Sequence, residues 1–97
     1  MDKKEKIINA IFMAIDEVNE KLPREHRIEK SPQAPWLGPA SRLDSMGLVF
    51  LIVAIEKNIK EKLGVDIKIA NEKTIFLQDS PLQNADRLAS HISLLLR

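Results

Sequence analysis

Residues 43–64 read LDSMGLVFLIVAIEKNIKEKLG, and this stretch decides the fold. Asp44-Ser45 is an ordinary capping pair at the head of a helix running from about Ser45 to Leu63, and Gly64 supplies its left-handed C-terminal cap. Lys57, Lys60 and Lys62 fall in the last two turns, where cations suit the helix dipole. The first half, 46–55, is apolar nearly all round apart from Gly47. Such a helix is either buried on most sides or keeps apolar surface for a partner. Ser45 presents a hydroxyl at its N-terminus, where unpaired backbone N–H groups and the dipole favour a phosphate. No other residue of the chain looks as ready for chemistry.

The sequence on either side reads as more helix. From about Lys3 to Leu22, Ile7, Ile8, Ile11, Phe12, Ile15, Val18 and Leu22 recur at helical spacing, and Pro23 stops the run. From Arg24 to Arg42 no period survives, and Pro32, Pro35, Gly38 and Pro39 punctuate a long loop. Trp36 and Leu37 are its natural anchors to the core, since buried area is the usual work of a lone Trp. After Gly64, residues 65–69 alternate like a strand but have no partner strand, so they read as an extended connection whose apolar members plug the core. A short helical turn is expected around 70–75. The last helix is expected to open with Ser80 as N-cap, Pro81 in the first position and Gln83 completing a capping box. Leu82, Ala85, Leu88, Ala89, Ile92, Leu95 and Leu96 would be its inward stripe. The expected fold is a single all-α domain over 1–97. It is a small helical bundle of three main helices plus a short helix, with a long loop between the first and second.

Composition narrows the function classes. The 15 basic and 14 acidic side chains leave a net charge of +1, which is no footprint of a nucleic-acid binder. Only the 23–43 stretch is mildly basic, through Arg24, Arg27, Lys30 and Arg42. The absence of cysteine removes disulfides, thiolate nucleophiles and cysteine-ligated zinc, and fits a reducing cytoplasm. The longest apolar run, 48–55, is far short of the roughly 20 residues a membrane span needs. The amino end runs into an amphipathic segment rather than a signal core. His26 and His91 lie far apart, and no Gly-rich phosphate loop, HExxH or EF-hand spacing occurs. The expectation is a cytoplasmic, non-enzymatic protein with no metal site, no catalytic residue, and no nucleic-acid or membrane partner.

With these residues in view the chain resembles the acyl carrier proteins and the related peptidyl and aminoacyl carrier domains. The likeness rests on Asp44-Ser45-Met46 opening a helix, on Val49, Leu51, Ile52, Ala54, Ile55, Glu56 and Ile59 along it, and on the Gly64-Val65-Asp66-Ile67 exit. It covers essentially the whole chain and is weakest in the 24–42 loop. The resemblance implies that Ser45, flanked by Asp44, carries 4′-phosphopantetheine through a phosphodiester, with acyl or aminoacyl groups held as thioesters on the terminal thiol. The partners it implies are a phosphopantetheinyl transferase using coenzyme A, an acyl- or aminoacyl-activating ligase and acyltransferases, with the carrier acting as a monomer.

Three positions depart from the family's usual acidic recognition helix: Gly47, Phe50 and Lys57 stand where carboxylates are common. Together with Met46 they are the expected partner-facing residues. The departure speaks against fatty-acid synthesis, and the 39–49 stretch, PASRLDSMGLV, resembles stand-alone carriers of specialised pathways, which serve modified sugars, secondary metabolites or aminoacyl groups. With Trp36, Leu43, Ile55 and Ile59 as filler beneath the helix, only a limited cavity is expected. The competing reading is an interaction module in which Ser45 is merely a helix cap and the Met46–Phe50 surface docks another helix.

Overall fold

The computed structural model describes residues 2–37, 41, 43–68 and 81–96. These form an all-α bundle in which the first helix packs against both of the others. Helix α1 spans Lys3–Lys21, and Asp2 caps it by accepting the Glu5 N–H at 2.8 Å. Its apolar stripe buries Ile7, Ala10, Ile11, Ala14, Ile15 and Val18, with Ile8, Phe12 and Leu22 half-buried along the edges. The helix ends where the Leu22 N–H turns back to the Asn19 carbonyl, just before Pro23.

Helix α2 spans Ser45–Leu63, with the limits expected from the sequence. Asp44 caps its start, and Gly64 ends it at φ +69°, a left-handed conformation that glycine adopts without a side-chain clash. The helix turns Leu48, Leu51, Ile52, Ile55 and Ile59 toward α1. The two helices run in opposite directions. Leu22 lies beside Gly47, whereas Glu17 reaches Lys57 and Asn58. Asn58 is buried in the seam and donates to Glu17 at 3.3 Å and to the Ala54 carbonyl at 2.9 Å. A buried amide with two acceptors fixes the register of the pair.

The loop after α1 is tied down at several points. It begins with a short 3-10 turn, Arg24–His26. Asn19 then clamps the backbone of Ile28 in both directions, donating to its carbonyl and accepting its N–H, each at 2.8 Å. Farther along, Trp36 is buried and its backbone N–H donates to the Gln83 carbonyl at 2.8 Å. Leu37 packs half-buried on the core, as expected of the second anchor. Beyond α2, Val65 and Ile67 lie half-buried against the core in an extended connection, also as read from the sequence. The turn expected around 70–75 lies outside the described residues, as do Ile69, Ser80, Gly38, Pro39 and Arg42.

The last helix, α3, starts later than its sequence suggests. It spans Ala85–Leu95, and its N-cap is Asn84, which accepts the Arg87 N–H at 2.8 Å. Residues Pro81–Gln83 form a separate 3-10 turn, so Pro81 is not the first residue of α3. The reason is tertiary. A continuous helix needs the Gln83 carbonyl for the Arg87 N–H and the Leu82 carbonyl for the Asp86 N–H. Trp36 takes the first of these carbonyls, and the Asp86 N–H donates to Pro32 instead, at 3.0 Å. Helix α3 buries Ala85, Leu88, Ala89 and Ile92, with Leu82 beside them. Leu95, assigned to this stripe from the sequence, is exposed, because the buried arc closes at Ile92 and half-buried Leu96. No described helix is long and apolar enough to cross a membrane.

Candidate functional site

The site begins at the amino end of α2. Asp44 has extended backbone geometry and accepts the Gly47 N–H at 2.7 Å, while its carbonyl takes the Leu48 N–H at 3.0 Å. The cap is therefore Asp44, and Ser45 is the first helical residue, not the cap. Asp44 and Met46 on either side of it are both exposed. The Asp44 carboxylate already occupies one of the first-turn amides that would otherwise face an anion.

Gly47 does not face outward with Met46. It is buried, and a Cβ added there would stand 2.9 Å from Leu43 Cδ2 and 3.2 Å from Asp44 Oδ1, with Leu22 Cδ2 at 3.7 Å. A side chain at 47 meets the Leu43 methyl before it meets solvent. The glycine thus lets the loop end close onto the first turn of α2 and onto the end of α1.

Met46 (62% exposed), Val49 (50%), Phe50 (47%) and Val53 (59%) make one outward face of α2. Their spacing, i, i+3, i+4 and i+7, places them on a single stripe running away from Ser45. The apolar first half of the helix is thus divided, one side in the core and one side left open. Phe50 belongs to the open side. Val49, named in the sequence only for the resemblance, and Val53, not singled out there, complete the stripe, and their spacing from Met46 and Phe50 carries the signal. Lys57 continues the stripe into a charged end and stands 3.6 Å from Glu17, both partners being well exposed. Such a pair contributes little to stability.

On the other side of the α2 start, the loop encloses an open cleft of about 640 Å³. Its apolar surface comes from Ile28, Ala34, Pro35 and Leu43, and its polar side chains are Arg24, Arg27 and Glu29. The volume exceeds the limited cavity expected from the sequence. It lies within the loop rather than beneath α2, however, where Trp36, Ile55 and Ile59 are buried in the core and Leu43 is half-buried. The Trp36 indole N–H is buried without a hydrogen-bond acceptor among the described residues, while its carbonyl accepts the Ser41 hydroxyl at 2.9 Å. Ser41 Oγ in turn accepts the Leu43 N–H at 3.1 Å, which leads the chain from the Trp36 anchor to the cap of α2.

Among the described residues no three His, Asp or Glu side chains gather in a metal-holding group. His26 sits in the 3-10 turn after α1 and His91 on α3, so they belong to different elements. Neither a family model nor a curated protein nor a solved structure matches this chain.

Proposed function

We propose that this protein is a carrier domain that holds acyl or aminoacyl groups as thioesters on a 4′-phosphopantetheine arm at Ser45, and passes them between enzymes of a specialised pathway. The observation that carries the reading is the head of α2, where the Asp44-Ser45-Met46 signature coincides with a helix start between two exposed neighbours. The chain fits the arm there. With Asp44 as the cap, the serine at the first helical position is not needed to close the helix, which suits a residue that takes a phosphodiester. In attachment the Ser45 oxygen bonds to the phosphorus next to pantetheine in coenzyme A, the pyrophosphate bond breaks and the adenosine half departs. A separate transferase takes the hydroxyl proton and supplies any metal. The domain contributes a serine at a capped helix start and no catalysis of its own. Its partners are that transferase, an activating ligase and acyltransferases, all meeting a monomer in the cytoplasm.

Incubation with coenzyme A and a broad-specificity phosphopantetheinyl transferase tests this by intact mass. One pantetheine phosphate should be gained by the native chain and none by Ser45→Ala. An unmodified native chain would contradict the reading.

The half-exposed face of Met46, Val49, Phe50 and Val53 favours a second reading, a plain helix-docking module. In that case binding to partners would be the same for native protein and Ser45→Ala. The carrier reading includes the face as the surface that partner enzymes touch beside the arm.

A further inference from the structure

Resting on the carrier reading of Ser45, we propose that the loop cleft beside the head of α2 docks the carried group itself and selects an acyl chain that ends in a carboxylate. Position comes first. Leu43 forms part of the cleft and, through the Gly47 gap, touches the first turn of α2 two residues from Ser45. Arg24 and Arg27 lie two and five residues after Leu22, whose side chain borders the same gap. The cleft and the attachment point are therefore neighbours at one end of the bundle.

The lining then sets the chemistry. Ile28, Ala34, Pro35 and Leu43 offer an apolar floor for methylene groups. The guanidinium of Arg24 has no hydrogen bond or ion pair among the described residues. Arg27 spends its Nε–H on the Leu22 carbonyl at 3.3 Å, which holds the group at the cleft and leaves its terminal N–H groups without acceptors among those residues. Unpaired planar guanidiniums suit a carboxylate, which accepts two parallel hydrogen bonds. Glu29 lies on the same cleft, so the described lining residues carry one net positive charge, which matches one carboxylate. A bare phosphate from the arm would use the arginines but neither the floor nor the volume of about 640 Å³.

The floor is also fixed in advance. Asn19 clamps Ile28 in both directions, and the Pro32 carbonyl and Trp36 N–H join the far side of the loop to the start of α3. Binding to a preformed floor avoids the cost of ordering a loop.

The test has two arms, read by amide and guanidinium NMR on the full chain. In the first, unmodified protein is titrated with glutaryl-pantetheine and with valeryl-pantetheine, which have equal acyl length and differ at the tip. The glutaryl compound should shift Ile28, Ala34, Leu43 and the Arg24 and Arg27 Nε–H signals, and the valeryl compound should bind more weakly. The Arg24→Gln/Arg27→Gln double variant should weaken glutaryl binding roughly tenfold, the loss of about one charge-assisted hydrogen bond. In the second arm the transferase loads Ser45 from coenzyme A, valeryl-coenzyme A or glutaryl-coenzyme A, and only the glutaryl load should shift the cleft fully.

Equal shifts from valeryl and glutaryl, or an unchanged response in the double variant, would overturn the proposal. So would a cleft already shifted by the plain arm, which would identify the phosphate as the ligand. If no load attaches, the carrier reading fails by mass, and the soluble titration alone then decides whether the cleft takes a carboxylate-tipped chain.

Discussion

Asp44 and Ser45 are adjacent but differ in position: Asp44 closes the helix, and Ser45 is its first residue, where the carrier proposal puts the attachment. Replacing Asp44 with Ala removes the acceptor of the Gly47 N–H and should cost about 1 kcal/mol in urea unfolding. Replacing Ser45 with Ala removes no cap, and stability should stay within about 0.5 kcal/mol of native. The reverse order of costs would mean that Ser45 is the structural residue. These two positions were legible in the sequence because a capping pair, an apolar run and a terminal glycine lie within a single local pattern. The buried Gly47 was not legible as such. Its neighbours are Leu43 and Leu22, and contact with the end of α1 is a tertiary fact that helical spacing does not encode.

At the scale of elements, the loop after α1 shows why a missing period is not missing structure. Its order comes from side-chain-to-backbone clamps, of which Asn19 on Ile28 is the clearest. Asn19→Ala should leave a part-buried N–H and carbonyl unsatisfied and cost roughly 1–3 kcal/mol by denaturant midpoint. An effect below a few tenths of a kcal/mol would show that the clamp does not hold the loop. The same tertiary ties misled the reading of the last helix. Ser80-Pro81 is a good local start signal, but Trp36 and Pro32 claim the hydrogen bonds that a helix through Gln83 would need, and Asn84 becomes the cap. Helix α2, in contrast, was read correctly from end to end because its boundaries are set by its own residues. Its two faces predict different mutant behaviour. Ile55→Ala, in the core, should cost 2–5 kcal/mol as a rough range, whereas Phe50→Ala should be nearly neutral to unfolding. If Phe50 supports partner docking, the same variant should lose about 2 kcal/mol of binding to a cognate enzyme. Unchanged binding would remove Phe50 from the surface.

For the whole molecule, the bundle was legible because three apolar stripes need one another, and α1 meets the other two as expected of a small core. The open apolar face of α2 was only partly legible. Met46 and Phe50 were identified, but which half of the apolar run stays outside depends on where α1 packs. The cleft was not foreseen, since its walls come from the loop and its size depends on clamps that carry no sequence period. With a net charge of +1 and an open apolar face on α2, partner recognition should depend only weakly on salt. Affinity for a cognate enzyme measured from low to high ionic strength should change little, and a steep fall would point to a charged surface instead.

The proposed attachment at Ser45 is covalent and can be measured directly. Trypsin cleaves after Arg42 and Lys57, releasing peptide 43–57, in which Ser45 is the single hydroxyl side chain. After incubation with coenzyme A and a phosphopantetheinyl transferase, mass spectrometry should find one pantetheine phosphate on that peptide, with fragment ions placing it on Ser45. A 43–57 peptide that stays unmodified, or a gain found only on peptides containing Ser41 or Ser80, would contradict the carrier account.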